Sequence, residues 1–451
     1  MVKGKTANVW VKAWSTVIGA NTAYLSVTPS TSSIASSVWD AYSGGATITG
    51  LKCGDFQMKA EIRSGSSRTA THTGAYNYTV IPDIVGDTAF VQNVATGKYI
   101  DLEQVNYVPT DIVQQWSFHG GTQSQWIFEL GGSGYFKIKS VKTGKYIGVD
   151  SSDTSKVKQY STVTDYTLWK IGETSSRNYK FACKALESSG KVLCAPTITS
   201  GDGADLTMLV YGDNSSYGDE WNVYSVSYIA TVNNFYDKGY YIRYGESESV
   251  SHNEIENYNF AVSQVYLKLF GLLIYSNGAQ YYNSPIDQCK GTVSSSNIDT
   301  MCSHSGTAHT DRSNVISSLK SYCAGNNTTT NVLWSGHKIK SIASSGNVNF
   351  NRSCSSGYYL YILEISMSYN RTIHSQGVLL HELNHQYGAK DHYHEEISPG
   401  VCKFADVCST CGANPRPATC IMNNSRQNIN SSQIICNECM QDIFIHLEDH
   451  H

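Results

Sequence analysis

Through residues 1–85, apolar and polar positions alternate in short runs. Val9-Trp10-Val11-Lys12-Ala13-Trp14 and Phe56-Gln57-Met58-Lys59-Ala60-Glu61-Ile62 are two of them, with Ser, Gly and Thr clusters between. A period of two marks a half-buried strand. The pattern predicts a small all-β, sandwich-like domain over 1–85, accessory or pro-segment in role, with Pro82-Asp83 as linker. Residues 86–228 remain strand-like and add a repeat. Thr96-Gly97-Lys98-Tyr99-Ile100 recurs as Thr143-Gly144-Lys145-Tyr146-Ile147, and more weakly as Ser189-Gly190-Lys191-Val192-Leu193. A Trp in a strand-like setting follows each copy: Trp126, Trp169 and Trp221.

The period changes over 229–451. Strands are expected around Tyr228 to Asn233 and Gly239 to Tyr244. Ser251 and Glu254 have the spacing of a capping box. Ile255, Tyr258, Val262, Val265, Leu269 and Leu273 then recur at helical spacing. A strand at Tyr358 to Ser366 and a helix from about Thr372 to Tyr387 precede a cysteine-rich end. The prediction is a multidomain chain: an all-β domain, a three-fold β-domain over 86–228 and an α+β domain over 229–451.

Composition narrows the function classes. The 451 residues are 16 % charged and 40 % hydrophobic, enough apolar material for several cores. The net charge of −4 and the lack of a basic run exclude a large nucleic-acid footprint. The most apolar stretch, Val262 to Tyr275, contains Lys268 and falls short of the roughly 20 residues of a membrane span. Richness in Ser, Thr, Asn, Gly and Tyr predicts a secreted, extracellular protein. Residues 1–20 hold no continuous apolar core, so secretion implies a leader removed from this sequence. Ten of the 13 cysteines lie between Cys289 and Cys439, which calls for disulfides, a metal, or both.

His381-Glu382-Leu383-Asn384-His385 places two imidazoles four residues apart, on one helix face, where both can bind one ion. Glu382 sits beside the first. Gly388 falls where a helix would end in a left-handed turn, and Asp391 follows as third ligand, with His392 and His394 as alternatives. His381-Glu382-x-x-His385-x-x-Gly388-x-x-Asp391 resembles the metzincin zinc peptidases, in the variant with Asp as third ligand. Met422, in Cys420-Ile421-Met422-Asn423, resembles their Met-turn. The resemblance implies one catalytic Zn2+ on His381, His385 and Asp391, Glu382 as general base, and hydrolysis of peptide bonds in proteins or glycoproteins. It also implies extended substrate pairing with the Tyr358 to Ser366 strand. Asn423, Asn424 and Ser425 follow the Met, so a Tyr that assists in some members is missing.

Cys408-Ser409-Thr410-Cys411 and Cys436-Asn437-Glu438-Cys439 have spacing that suits a second, structural zinc, and disulfides equally. Cys420-x-Met422 followed by a Cys-x-x-Cys partly resembles the archaemetzincin branch, whose cysteines hold such an ion. Cys289, Cys302, Cys323 and Cys354 are expected to pair with one another, and Cys183 with Cys194. Cys53 is the odd thiol.

The three repeats, each ending in a Trp, resemble the ricin-type β-trefoil lectins, although Ser124, Thr167 and Asp219 replace the Gln of their Gln-x-Trp. The resemblance implies glycan binding at Asp101 and a stacking Trp116, with Gln123 nearby. Repeat two has Gly148 at the Asp position and repeat three has Cys194, so at most one site is intact. The expected function is a zinc metalloendopeptidase with a targeting lectin module. The competing readings are a lectin or adhesin with an inactive peptidase fold, and a toxin-like protein of narrow specificity.

Overall fold

The computed structural model describes residues 5–10, 23–29, 32, 35–40, 45–51, 53–64, 69–196, 201–212, 217–298, 312–324, 329–337, 339–340, 350–351, 353–356, 359–363, 371–391, 396–398, 401–402, 420–422, 428–430 and 434–450. The chain divides into two compact units, Met1–Ser225 and Val226–His451.

The first unit is β throughout. Its N-terminal part holds two three-stranded antiparallel sheets. Thr6–Trp10 and Ala35–Asp40 flank Gly45–Gly50 in one; Ala23–Pro29 and Thr69–Val80 flank Gly54–Ser64 in the other. The three-fold part follows. Its strand Thr88–Asn93 pairs with Trp126–Gly132 and also with Trp221–Ser225, which ties the last repeat to the first. The repeat glycines Gly97, Gly144 and Gly190 have φ of +70°, +72° and +68°, a conformation open to glycine and strained for other residues. Trp126, Trp169 and Trp221 are fully buried. Their indole N–H groups donate to the carbonyls of Ile100, Ile147 and Leu193 at 3.1, 2.9 and 2.9 Å. One interaction made three times satisfies the polar atom that each large ring takes out of water.

The second unit is α+β. Its five-stranded sheet runs Leu272–Tyr281, Tyr228–Tyr236, Thr330–Ser335, Tyr359–Leu363 and Ser353–Ser356, the last strand antiparallel to the other four. Helix Glu248–Phe270 is the crossover between the first two parallel strands, as parallel pairing requires. Helix Arg371–Gln386 follows the sheet in the chain and packs on the first helix, where the Tyr266 hydroxyl donates to Asn384 Oδ1 at 2.6 Å.

Four expectations are corrected. Gly239 to Tyr244 is helix Lys238–Tyr244: Asp237 caps it by accepting from the Tyr240 N–H, and Gly245 ends it at φ +64°. Ser247 caps the long helix, accepting from the Val250 N–H; Ser251 lies inside the helix and is buried, so no Ser251–Glu254 box forms. Gly271 stops that helix at φ +64°, which leaves Leu273 in the next strand. Tyr359–Leu363 is an interior strand paired on both sides; the antiparallel edge is Ser353–Ser356. Among the described residues no helix is long and apolar enough to cross a membrane.

Candidate metal centre and sugar pocket

In the second unit His381 and His385 lie on helix Arg371–Gln386, one turn apart. Gly388, at φ +87°, turns the chain back after the helix and brings Asp391 to both rings. Asp391 Oδ1 lies 3.1 Å from His381 Nε2 and 3.3 Å from His385 Nε2. That oxygen is buried and makes no well-aligned hydrogen bond to either ring. The three atoms therefore converge on a point between them. Donors about 2.0–2.1 Å from a tetrahedral ion lie about 3.3 Å apart, which matches this spacing. The other ring nitrogens are fixed by the backbone. His381 Nδ1 lies 2.9 Å from the Ile421 carbonyl, and His385 Nδ1 lies 3.0 Å from that of Ala389. A carbonyl only accepts, so in the neutral rings the proton sits on Nδ1 and the Nε2 lone pair faces the centre.

The residues present fit a zinc ion with a fourth position left for water. The electrostatics favour a cation there. Burial opposes charge on His381, but the adjoining Asp391 carboxylate and the Glu382 charge outweigh it and push the imidazole up to about 9. Burial acts against the Asp391 carboxylate as well, yet the two histidines hold it well below the usual range. Glu382 is buried next to His381. Met422 is fully buried in the core with Val378, Leu379 and Leu383, one residue after the carbonyl that orients His381. His392 and His394 lie outside the described residues.

The cysteine expectations change. Cys408 and Cys411 lie outside the described residues. Cys436 and Cys439 form no disulfide; they gather with Cys420, all three buried. Cys420 Sγ lies 3.9 Å from Cys439 Sγ, against about 3.8 Å for two sulfurs on one tetrahedral zinc. Hydrogen bonds from Cys436 and Cys439 hold the Cys420 thiol far below its ordinary range. The spacing of the two Cys-x-x-Cys pairs does not include Cys420, which enters only through the archaemetzincin resemblance. Cys183 and Cys194 are separate thiols, each hydrogen-bonded to backbone carbonyls, so their expected bridge does not form. Cys53 is a buried thiol. Cys289 is disulfide-bonded, whereas Cys323 is a thiol outside any such pairing. The side chains of Cys302 and Cys354 lie outside the description.

A third cluster had no counterpart in the sequence reading. Asp237 and His337 follow two parallel strands, Asp287 lies in helix Pro285–Lys290, and the three are buried together. All four carboxylate oxygens have protein donors. Asp237 takes the Tyr240 N–H and the Ser335 hydroxyl; Asp287 takes the Lys238 N–H and His337 Nε2, both at 2.7 Å. These hydrogen bonds cross-link the fold at that point.

In the first unit, Asp101, Trp116 and Gln123 line one cavity of about 650 Å³ with Gln114, His119, Asn106 and Tyr107. Asp101 is buried at its base. It accepts from Ser124 Oγ at 2.5 Å, His119 Nε2 at 3.0 Å and Gln114 Nε2 at 3.3 Å. The Gly121 N–H donates to His119 Nδ1 at 3.0 Å, so Nε2 carries the proton toward Asp101. His119 and Gln114 were not anticipated, and no local pattern marks them. In repeat two, a Cβ on Gly148 would lie 2.7 Å from Thr167 Cγ2 and 2.9 Å from Tyr160 Cδ2. Packing has closed the position that Asp101 holds in repeat one.

Residues 122–209 match the family described as "Ricin-type beta-trefoil lectin domain-like". The match places a ricin-type β-trefoil lectin-like region within the first unit. Among solved structures, the chain is similar to a designed 3-fold symmetric protein, ThreeFoil, at 26 % identity over 30 % of this chain and 96 % of that one, with TM-score 0.27. It is also similar to the Macrolepiota procera ricin B-like lectin, solved with lactose, at 19 % identity over 31 % of this chain and 95 % of that one, with TM-score 0.25. No curated protein matches the chain.

Proposed function

We propose that this protein is a secreted zinc metalloendopeptidase whose lectin domain binds glycan. The observation that carries the peptidase reading is the convergence of His381 Nε2, His385 Nε2 and Asp391 Oδ1, with both Nδ1 atoms tied to carbonyls. Zinc held there would polarise a substrate carbonyl and bring the pKa of a water toward about 7. Glu382, beside His381, accepts a proton from the attacking water and returns one to the leaving amine. The edge strand Ser353–Ser356 has no partner on its outer side among the described residues, and an extended peptide adds to such an edge by backbone hydrogen bonds. The resemblance to metzincins supports the same assignment, as does Met422 beneath the site. A second zinc on Cys420, Cys436 and Cys439 is part of the proposal, as a structural ion. The Cys289 disulfide agrees with an oxidising compartment.

Glycan binding is proposed at the Asp101 cavity, which combines a buried polar base with an exposed Trp116 face. Sugar bound by the same chain would raise the local concentration of glycoprotein substrate.

The test is metal analysis and peptide-library cleavage on the full chain, as wild type and Glu382→Ala. Wild type is expected to hold zinc and cleave. Glu382→Ala is expected to hold the same zinc and cleave slower by about 10²–10⁴-fold. Reconstituted wild type that holds no zinc at the histidines would overturn the peptidase reading. Sugar binding with zinc but without cleavage would favour the second reading, a lectin with an inactive peptidase fold.

A further inference from the structure

The hairpin at the mouth of the Asp101 cavity contains a residue that protein packing does not account for. Strands Tyr99–Val105 and Val108–Trp116 pair up to Val105 and Val108, which leaves the two-residue turn Asn106-Tyr107. Both have positive φ, +51° and +66°. A two-residue turn with this backbone favours Asn followed by Gly. Asn106 suits the first place. Tyr107 stands where Gly is preferred, and a bulky side chain is strained there. Its ring contributes little to the core, because Tyr107 is 91 % exposed. Strain kept at an exposed position points to a use outside the fold.

Position suggests the use. Tyr107 and Trp116, itself 38 % exposed, line the same cavity, with Gln104 and Asn106 on its wall and Asp101 at its base. Polar groups at depth and two exposed aromatic rings nearer the rim suit an amphipathic chain longer than one sugar. We propose that Tyr107, with Asn106 and Gln104, forms an outer subsite that stacks the second sugar of an oligosaccharide whose terminal sugar sits at Asp101 and Trp116. The proposal rests on the glycan-binding reading. It assigns Tyr107 the preference for disaccharides over monosaccharides.

The experiment uses the full chain as wild type, Tyr107→Gly and Tyr107→Phe. Each is titrated with galactose, mannose and N-acetylglucosamine, and with the disaccharides lactose, mannobiose and chitobiose. For the best-bound pair, Tyr107→Gly is expected to lower the ratio of disaccharide to monosaccharide affinity by about tenfold, the size of one lost stacking contact. Tyr107→Phe keeps the ring and is expected to keep the ratio. Gly relieves the left-handed strain, so the thermal midpoint of Tyr107→Gly is expected at or above that of wild type, which separates lost stacking from a damaged fold. An unchanged ratio in Tyr107→Gly, or an equal fall in Tyr107→Phe, would overturn the outer subsite while wild-type binding keeps the lectin reading intact. Wild type that binds none of the six sugars would overturn the lectin reading and the subsite with it.

Discussion

At the proposed zinc site, metal and protons would compete for the same histidine, and the size of that competition follows from the site. Asp391 and Glu382 push His381 up to about 9, so at pH 7 a zinc ion must displace a proton bound some two pH units more tightly than the working pH allows to leave freely. At roughly 1.4 kcal/mol per unit, the handicap at pH 7 is about 3 kcal/mol, on the order of a hundredfold in affinity. The metal-free protein has the opposite dependence. The raised folded pKa of His381 stabilises it fully below the unfolded value near 6.5, and that contribution is lost as pH rises through about 9. Asp391, with a lowered pKa, adds stability above its ordinary value near 3.8 that is lost as pH falls toward its folded value. The two shifts describe one contact and count once. The assay is competition with a chromophoric chelator at pH 7, 8 and 9, with the His381→Ala, His385→Ala double variant as blank for metal held at the cysteines. Zinc affinity is expected to rise about tenfold per pH unit and level off above pH 9. Asp391→Asn is expected to bind more weakly at pH 9 and to flatten the slope, since the imidazole loses the partner that raised it. An affinity that does not change between pH 7 and 9 in wild type would refute the claim that His381 yields a proton to the metal.

Three further outcomes follow from the packing. Trp169→Phe keeps a buried ring but leaves the Ile147 carbonyl without its donor, and calorimetry is expected to show a loss of roughly 1–3 kcal/mol in the first unit. Asp287→Ala strips the acceptor from the Lys238 N–H and His337 Nε2 and is expected to destabilise the second unit by about 1–3 kcal/mol for each group, read by the same melt. Gly148→Asp, which restores the side chain of repeat one, is expected to lower stability by roughly 1–3 kcal/mol and to add no sugar site. The new Cβ meets Thr167, Tyr160 and the Tyr166 carbonyl, and titration that gives a second bound sugar would contradict this.

The legible parts of the molecule are those whose determinants sit close together in the chain. Gly97, Gly144 and Gly190 each make a turn that needs positive φ, and each Trp finds a carbonyl within its own repeat, so the three-fold order appears as a literal repetition. His381 to Asp391 spans one helix end and one turn, where spacing alone brings three donors together. The cysteine trio is legible only through the archaemetzincin resemblance, because Cys420 meets Cys436 and Cys439 through tertiary pairing that spacing does not report; the Ile421 N–H donates to the Ile434 carbonyl at 2.7 Å, and that contact brings the two segments together. The Asp237 cluster joins residues about fifty positions apart, which no local pattern reports. Gly239 to Tyr244 was misread because its apolar residues fit a strand, while Asp237 and Gly245 on either side fix a helix.

His119 and His381 share a side chain and differ in which nitrogen the backbone has claimed. At His119 a backbone N–H donates to Nδ1, so the ring presents a proton from Nε2 and serves to orient a buried carboxylate. At His381 a carbonyl accepts from Nδ1, so the neutral ring presents a lone pair from Nε2, which suits the proposed zinc. Both Nε2 atoms lie about 3 Å from an aspartate. Distance to the carboxylate therefore does not separate the His119 contact from the proposed metal site. The backbone group on the far nitrogen does, and that group is set by the turn at Ile421 in one case and by Gly121 in the other.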